Sequence, residues 1–163
     1  MQSSVFDATA FMEMAVDLKS TPMDWKLPDI GDYPAQIAAP NGQEPIVANC
    51  GEKDGRVWCN MSIMWRITDE NVAKSLNMQD VFVRQSVFMD LLDGSTPAAP
   101  RLDMGQNKSQ AYKNIIVATG LNKSNGKVSP SALKFATAKV HVEHRRPEGF
   151  DRDVAEVTRV TTL

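Results

Sequence analysis

The chain reads VWCNMSIMWRI from residue 57 to residue 67 and VFVRQSVFMDLL from residue 81 to residue 92. Both runs alternate residue by residue, and successive side chains of a β-strand point to opposite faces of a sheet. One set of alternate positions is apolar in each run, interrupted in the second run only by Gln85. The pattern therefore predicts two strands, each with one face in the hydrophobic core.

The other face of these two strands combines aromatic and basic side chains. The aromatic and basic residues of this face are Trp58, Arg66, Phe82, Arg84 and Phe88. Unpaired nucleotide bases offer π-faces for stacking, and each nucleotide linkage carries a phosphate. We therefore expect these five residues to bind a single-stranded nucleic acid. The alternative is that the rings lie under a loop or against a partner subunit, because aromatic residues dominate cores and interfaces.

Length and composition favour one intracellular domain. The chain has 163 residues, of which 42% are hydrophobic, and this is enough for one sizeable core. We expect a soluble, cytoplasmic protein without membrane contact, since no apolar run approaches the ~20 residues of a membrane span. Acidic residues also occupy the N-terminal segment where a signal peptide would be basic and then apolar. The two cysteines, Cys50 and Cys59, are expected to be reduced thiols.

The charge is distributed unevenly along the sequence. Residues 1–100 contain 7 Lys/Arg against 14 Asp/Glu, whereas residues 101–163 contain 11 against 6. The basic residues concentrate between Arg101 and Arg146. Such polarised charge favours a polyanion bound on one side of the molecule. An acidic isoelectric point of about 5.7 indicates a groove rather than a protein that coats nucleic acid on all sides.

Residues 1–28 are interpreted as an arm that precedes the domain. The spacing of apolar residues from residue 8 to residue 18 fits one helical face, with Asp7 as a candidate N-cap. Four side chains are too apolar to remain in solvent, namely Phe6, Phe11, Met12 and Met14. We expect the arm to dock either on a second subunit, as part of a homodimer, or on the domain of its own chain.

Residues 29–163 are predicted to form a mainly β domain with short helices, of the α+β class. Five strands are expected at residues 31–39, 57–67, 81–92, 136–145 and 153–161, the last with a possible bulge. Helices are expected at residues 70–77 and 107–119, with a helical turn after Ser129 and a Pro/Gly/Asn-rich connection between the first two strands. Five strands with a helix between the third and fourth is the order of an OB-type barrel, which binds oligonucleotides on its second and third strands. Three outward residues of the fourth strand, Lys139, His141 and Arg145, are expected to extend the groove.

Several stretches resemble a family of phage-encoded OB-fold proteins from replication and recombination gene clusters. They are DIGDYPAQI (29–37), GRVWCNMSIMWRIT (55–68), VRQSVFMDL (83–91), LDMGQNKSQAYKNIIVATGL (102–121) and SPSALKFATAKVHVEH (129–144). The family is taken to bind single-stranded DNA. The resemblance implies the same activity here, inside the host cell, with phage or host replication and recombination proteins as further partners.

Other functional motifs are weak in this sequence. The segment 120–127, GLNKSNGK, departs from the phosphate-binding loop in its glycine spacing and lacks the required Ser/Thr. His141 and His144 lie an odd number of residues apart on a predicted strand and so face opposite sides, which disfavours a zinc site with the cysteines. We expect no cofactor, no metal and no catalysis. The alternative function is a phage structural or host-protein-binding module that uses the aromatic face as a protein interface.

Overall fold

The computed structural model describes residues 5–15, 26–123 and 126–163. It is mainly β with short helices, as predicted. The strands are β1 Gly31–Ile37, β2 Ile46–Lys53, β3 Arg56–Ile67, β4 Val81–Met89, β5 Thr137–Arg145 and β6 Val154–Thr161. The helices are α1 Ala8–Met12, α2 Glu70–Ser75 and α3 Gln110–Ala118, with 3-10 turns at Leu121–Lys123 and Pro130–Leu133.

The described strands form one six-stranded mixed sheet in the order β1-β5-β6-β4-β3-β2. A further pairing between β1 and β3 joins five of these strands into a ring. The contact between β4 and β6 is parallel, and the other strand pairs are antiparallel. The strand β3 is long enough to pair with β2 along its first part and with β1 at its end. Thus β2 lies outside the ring and extends the sheet beside β3.

The hydrophobic core lies on the inner face of the ring, as the alternation predicts. On β3 the buried residues are Cys59, Met61, Ile63, Trp65 and Ile67, and on β4 they are Val81, Val83, Gln85 and Val87. The helix α3 contributes Tyr112 and Ile115 to this core, and the second 3-10 turn contributes Leu133. Burial of one face specifies the register of the strand pairs strongly. A slip of one residue would turn every apolar side chain of the slipped strand toward water.

The strand β2 was not predicted, and its sequence was wrongly interpreted as a connection. A two-residue turn joins β2 to β3, in which both Asp54 (φ 53°) and Gly55 (φ 76°) have left-handed backbone. This geometry is that of a tight hairpin turn, for which Asp-Gly is a preferred pair. Cys50 and Cys59 lie directly opposite each other in this hairpin with Cα atoms 4.2 Å apart, and a disulfide joins them. The expectation of reduced thiols is therefore wrong.

The local predictions for helices and strand ends hold with small differences. Asp69 caps α2, because its carboxylate accepts a hydrogen bond from the backbone N–H of Asn71 at 3.0 Å. The helix α3 begins at Gln110 rather than near Asn107, since Asn107 and Ser109 have positive φ angles of 61° and 48°. The irregularity expected in the last strand is a register shift between β5 and β6 at His141 and Val142.

The part of the arm that the structure describes, residues 5–15, is exposed throughout. Asp7 caps α1 by accepting a 3.0 Å hydrogen bond from the backbone N–H of Ala10, as predicted. The helix ends at Met12, and residues 16–18 of the predicted helix lie outside the described residues. The rings of Phe6 and Phe11 contact each other with centroids 5.7 Å apart. Among the described residues, every helix is too short or too polar to cross a bilayer.

Candidate nucleic-acid interface

Five of the eight predicted site residues lie on one surface formed by β3 and β4. Directly opposed residues of an antiparallel pair share a face of the sheet. The opposed pairs on the outer side are Asn60 with Phe88, Ser62 with Ser86, Met64 with Arg84, and Arg66 with Phe82. Trp58 lies two residues before Asn60 and therefore points to the same side. We call this set of nine residues the β3–β4 outer face.

The aromatic residues of the β3–β4 outer face lie at its two ends. Trp58 and Phe88 are at one end, and Phe82 lies opposite Arg66 at the other. Phe88 lies six positions after Phe82 on β4, which corresponds to roughly 20 Å at the rise of a β-strand. Phe88 is 70% exposed and Trp58 is 41% exposed, whereas Phe82 is half-buried. The first end therefore presents the larger aromatic area to solvent.

Trp58 is positioned by a glycine on the neighbouring strand. Gly51 is its register partner in β2, and a Cβ atom placed on Gly51 would lie 2.7 Å from Cζ2 of the indole. The indole therefore lies against the bare backbone of β2, where a side chain of any other residue would occupy the same space. A glycine inside a strand often marks such a close approach. One side of the ring is covered by β2, and 41% of the residue remains exposed to solvent.

The two arginines of the β3–β4 outer face differ in their contacts. Arg66 is half-buried; its Nη2 donates a 2.8 Å hydrogen bond to Oε1 of Gln36, and its Nη1 lies 3.8 Å from the carboxylate of Asp80. Arg84 is exposed and has neither a hydrogen bond nor an ion pair with any residue that the structure describes. Of these two arginines, Arg84 is the one whose guanidinium can meet a phosphate without first losing a partner among the described residues.

The three predicted residues of β5 lie apart from the aromatic side chains. In the ring, β1 separates β5 from β3, and β6 separates β5 from β4. Nδ1 of His141 is 2.7 Å from Oδ1 of Asp32, and Nε of Arg145 is 2.9 Å from Oε2 of Glu156. Lys139 is exposed beside them. The structure therefore brings Lys139, His141 and Arg145 together with carboxylates on a second surface rather than with Trp58 and Phe88.

The carboxyl group of Asp32 is the charged centre of this second surface. The hydrogen bond with His141 holds the pKa of Asp32 below its usual value, and the positive charges of His141, Arg159 and Lys139 act in the same direction. Partial desolvation opposes the shift but does not outweigh it. Nε2 of His141 also lies 3.4 Å from the carboxylate of Glu143. Acidic and basic groups thus alternate here, which makes this surface less attractive to a polyanion than the basic sequence composition indicated.

One residue of the β3–β4 outer face, Asn60, carries a buried polar atom. Oδ1 of Asn60 is buried and has no hydrogen-bond donor among the described residues. Asn60 lies in register between Asn49 of β2 and Phe88 of β4. The sequence pattern does not single out Gly51 or Gln36, because each contacts the β3–β4 outer face only through the strand beside it. The isolated glycine before the Asp-Gly turn was the one available signal for Gly51.

Comparison with known proteins adds no family to this description. The chain matches no protein-family model, and no curated protein matches it. The functional interpretation of the β3–β4 outer face therefore depends on the contacts, exposures and charges of its own residues.

Proposed function

We propose that the protein binds single-stranded DNA on the β3–β4 outer face. Bases stack on Trp58 and Phe88, and Arg84 contacts the phosphates between them and Phe82. The observation that carries the proposal is the exposure of Trp58 and Phe88 on the same face as an unpaired arginine, among the described residues. Exposed rings can stack on the bases of an unpaired strand while the neighbouring guanidinium binds its phosphates.

We further propose that the five-strand ring is an OB-type barrel. Three observations support this: the ring has five strands, α3 lies between its third and fourth strands in chain order, and the β3–β4 outer face belongs to its second and third strands. Those two strands carry the ligand in OB-type barrels. The resemblance to phage replication and recombination proteins agrees with this assignment. Within the proposal the protein acts on single-stranded DNA in phage replication or recombination, as a binding protein in the host cytoplasm.

The proposal is tested by fluorescence anisotropy with a dye-labelled oligo(dT) at low and high salt. The wild type should bind at low salt and lose affinity as salt is added, because phosphate contacts release counterions. Trp58→Ala and Phe88→Ala should each weaken binding roughly 5- to 150-fold, the equivalent of about 1 to 3 kcal/mol for one stacked base. The melting temperature should change little, since both rings are exposed.

Val117→Ala is the matched control for these two substitutions. Val117 is 55% exposed on α3, away from the β3–β4 outer face, so its truncation should leave the affinity unchanged. Competition with unlabelled oligo(rU) measures any preference for DNA over RNA. Absence of oligonucleotide binding at low salt would contradict the proposal and leave the aromatic face as a protein interface. A sharp fall in melting temperature for Trp58→Ala and Phe88→Ala would instead assign these rings a structural role.

A further inference from the structure

Phe135 is an exposed aromatic residue in an unfavourable backbone conformation. Its ring is 62% exposed, and its φ angle is 68°, in the left-handed region where residues other than glycine are uncommon. Two hydrogen bonds hold this conformation, from the backbone N–H of Phe135 to the carbonyl of Ile37 and from the N–H of Ile37 to the carbonyl of Ala136, both at 2.9 Å. Glycine would adopt this backbone at lower cost. Neither backbone geometry nor burial therefore explains the phenyl group.

Phe135 is linked to the β3–β4 outer face through one side chain. Nε2 of Gln36 donates a 3.1 Å hydrogen bond to the carbonyl oxygen of Phe135. Oε1 of the same amide accepts a 2.8 Å hydrogen bond from Nη2 of Arg66. Gln36 and Arg66 are also register partners in the pairing of β1 with β3. Phe135 thus lies next to the Arg66–Phe82 end of the face, across the end of β1.

A cation accompanies this ring. Nζ of Lys134 lies 5.5 Å from the ring centroid of Phe135 and 3.5 Å from the carboxylate of Glu44. Lys134 is exposed, and its ion pair with Glu44 is solvated, so the ammonium can exchange that partner for a phosphate at little cost. Phe135 and Lys134 therefore repeat the combination of exposed ring and cation that Phe88 and Arg84 present on β4.

We infer that Phe135 and Lys134 form an additional subsite that takes one base and its phosphate from the same single strand. This inference depends on the proposed function. A strand that stacks on Trp58 and Phe88 and passes Arg84 reaches Arg66 and Phe82, and the next ring beyond them, across Gln36, is Phe135. The subsite extends the proposed binding surface from the β3–β4 outer face to the end of β1. It also gives the strained backbone at Phe135 a functional reason.

The test compares Phe135→Gly and Phe135→Trp with the wild type, all as the full chain, by anisotropy with labelled oligo(dT) of increasing length. Phe135→Gly should bind long oligonucleotides roughly 5- to 150-fold more weakly, the loss of about one stacked base. It should bind the shortest oligonucleotides nearly as well as the wild type does, because these are held by Trp58 and Phe88. Phe135→Trp should retain the affinity, and its added indole fluorescence should be quenched by long oligonucleotides only.

Protein stability separates this role from a structural one. Phe135→Gly should melt no lower than the wild type, since glycine relieves the left-handed backbone; Phe135→Asn, which also accepts this backbone, repeats the measurement. Equal affinity of Phe135→Gly and wild type at all lengths, with Trp58→Ala still weakened, would overturn the subsite and leave the proposed function intact. An equal loss at all lengths together with a lower melting temperature would also overturn it. Failure of the wild type to bind any oligonucleotide would overturn both.

Discussion

The indole N–H of Trp65 donates a 2.8 Å hydrogen bond to Oε1 of Gln85 inside the core, between β3 and β4. Both residues are buried, at 0% and 6% exposure, so neither polar group can turn to water instead. This contact explains why a glutamine interrupts the apolar face of β4. It also makes the polar residue part of the core rather than part of the candidate interface.

Gln85→Leu should therefore destabilise the protein, because it leaves the indole N–H buried without an acceptor. We expect the free energy of unfolding to fall by about 1 to 3 kcal/mol, measured by urea denaturation. In a Trp65→Phe background the same substitution should cost less, since no N–H remains to be paired. Equal costs in the two backgrounds would contradict an energetic role for the hydrogen bond.

Gly51→Ala should displace the indole of Trp58 and weaken oligonucleotide binding. The φ angle of Gly51 is not in the left-handed region, so alanine is acceptable to the backbone, and only the contact with the indole is lost. We expect an affinity loss comparable to that of Trp58→Ala, measured by anisotropy. In the Trp58→Ala background Gly51→Ala should have no further effect on affinity. An additional loss in that background would show that Gly51 acts by another route.

Arg84→Glu should reduce the salt dependence of binding. A single strand gives a slope of about -0.7 in log affinity against log salt for each phosphate neutralised, so loss of one contact should make the slope shallower by roughly that amount. All base sequences should be weakened alike, because phosphate contacts carry no base information. Lys123→Glu is the matched control, since Lys123 is an exposed cation of the basic half in the 3-10 turn after α3, outside β3 and β4. Equal slopes for Arg84→Glu and Lys123→Glu would exclude a specific role for Arg84.

The stability of the protein should depend on Asp32 at acidic pH. The pKa of Asp32 is lowered in the folded state, first by its hydrogen bond with His141. A lowered pKa contributes stability above the unfolded-state value of about 3.9, and this contribution is lost as the pH falls through the lower folded-state pKa. Asp32→Asn should flatten the free energy of unfolding against pH in this acidic window. An unchanged pH profile in Asp32→Asn would show that the ion pairs around His141 and Arg159 add nothing to stability.

The exposed arm should contribute to self-association. Phe6 and Phe11 are 73% and 56% exposed, and the described arm residues make no buried contact with the domain of their own chain. We propose that these rings dock on a second subunit, the alternative being the domain of their own chain. The double substitution Phe6→Ser and Phe11→Ser should shift the full chain from dimer to monomer in sedimentation equilibrium. A monomeric wild type, or a double variant that remains a dimer, would contradict an arm-mediated dimer.

Sequence alternation was sufficient to predict the inner and outer faces of β3 and β4. It was sufficient because period-2 burial is a local property of a strand. The strand β2 is not predicted for a different reason: Cys50, Gly51 and Asp54-Gly55 together have the composition of a loop. The Asp-Gly pair is also the signature of a two-residue hairpin, and the flanking residues gave no clear alternation to decide between the two readings. The fold was thus predicted as five strands where the sheet has six.

The candidate site could be predicted only where its residues share a strand pair. The side chains of Trp58, Arg66, Phe82, Arg84 and Phe88 follow from alternation within β3 and β4. The placement of Lys139, His141 and Arg145 depends on the ring order and on carboxylates contributed by β1 and β6, which no local pattern contains. Phe135 was missed for the same reason, because its link to Arg66 passes through a side chain of β1.

The position of β2 outside the ring has a consequence for motion. Its described pairing is with β3 alone, so this hairpin can open locally while the five strands of the ring keep their own ladders. Opening of the β2–β3 hairpin would separate the indole of Trp58 from the backbone of β2. Arg66 would remain hydrogen-bonded to Gln36 of β1. We therefore expect the proposed binding surface to be more flexible at its Trp58 end than at its Arg66 end, with the disulfide between Cys50 and Cys59 restricting the opening of the hairpin.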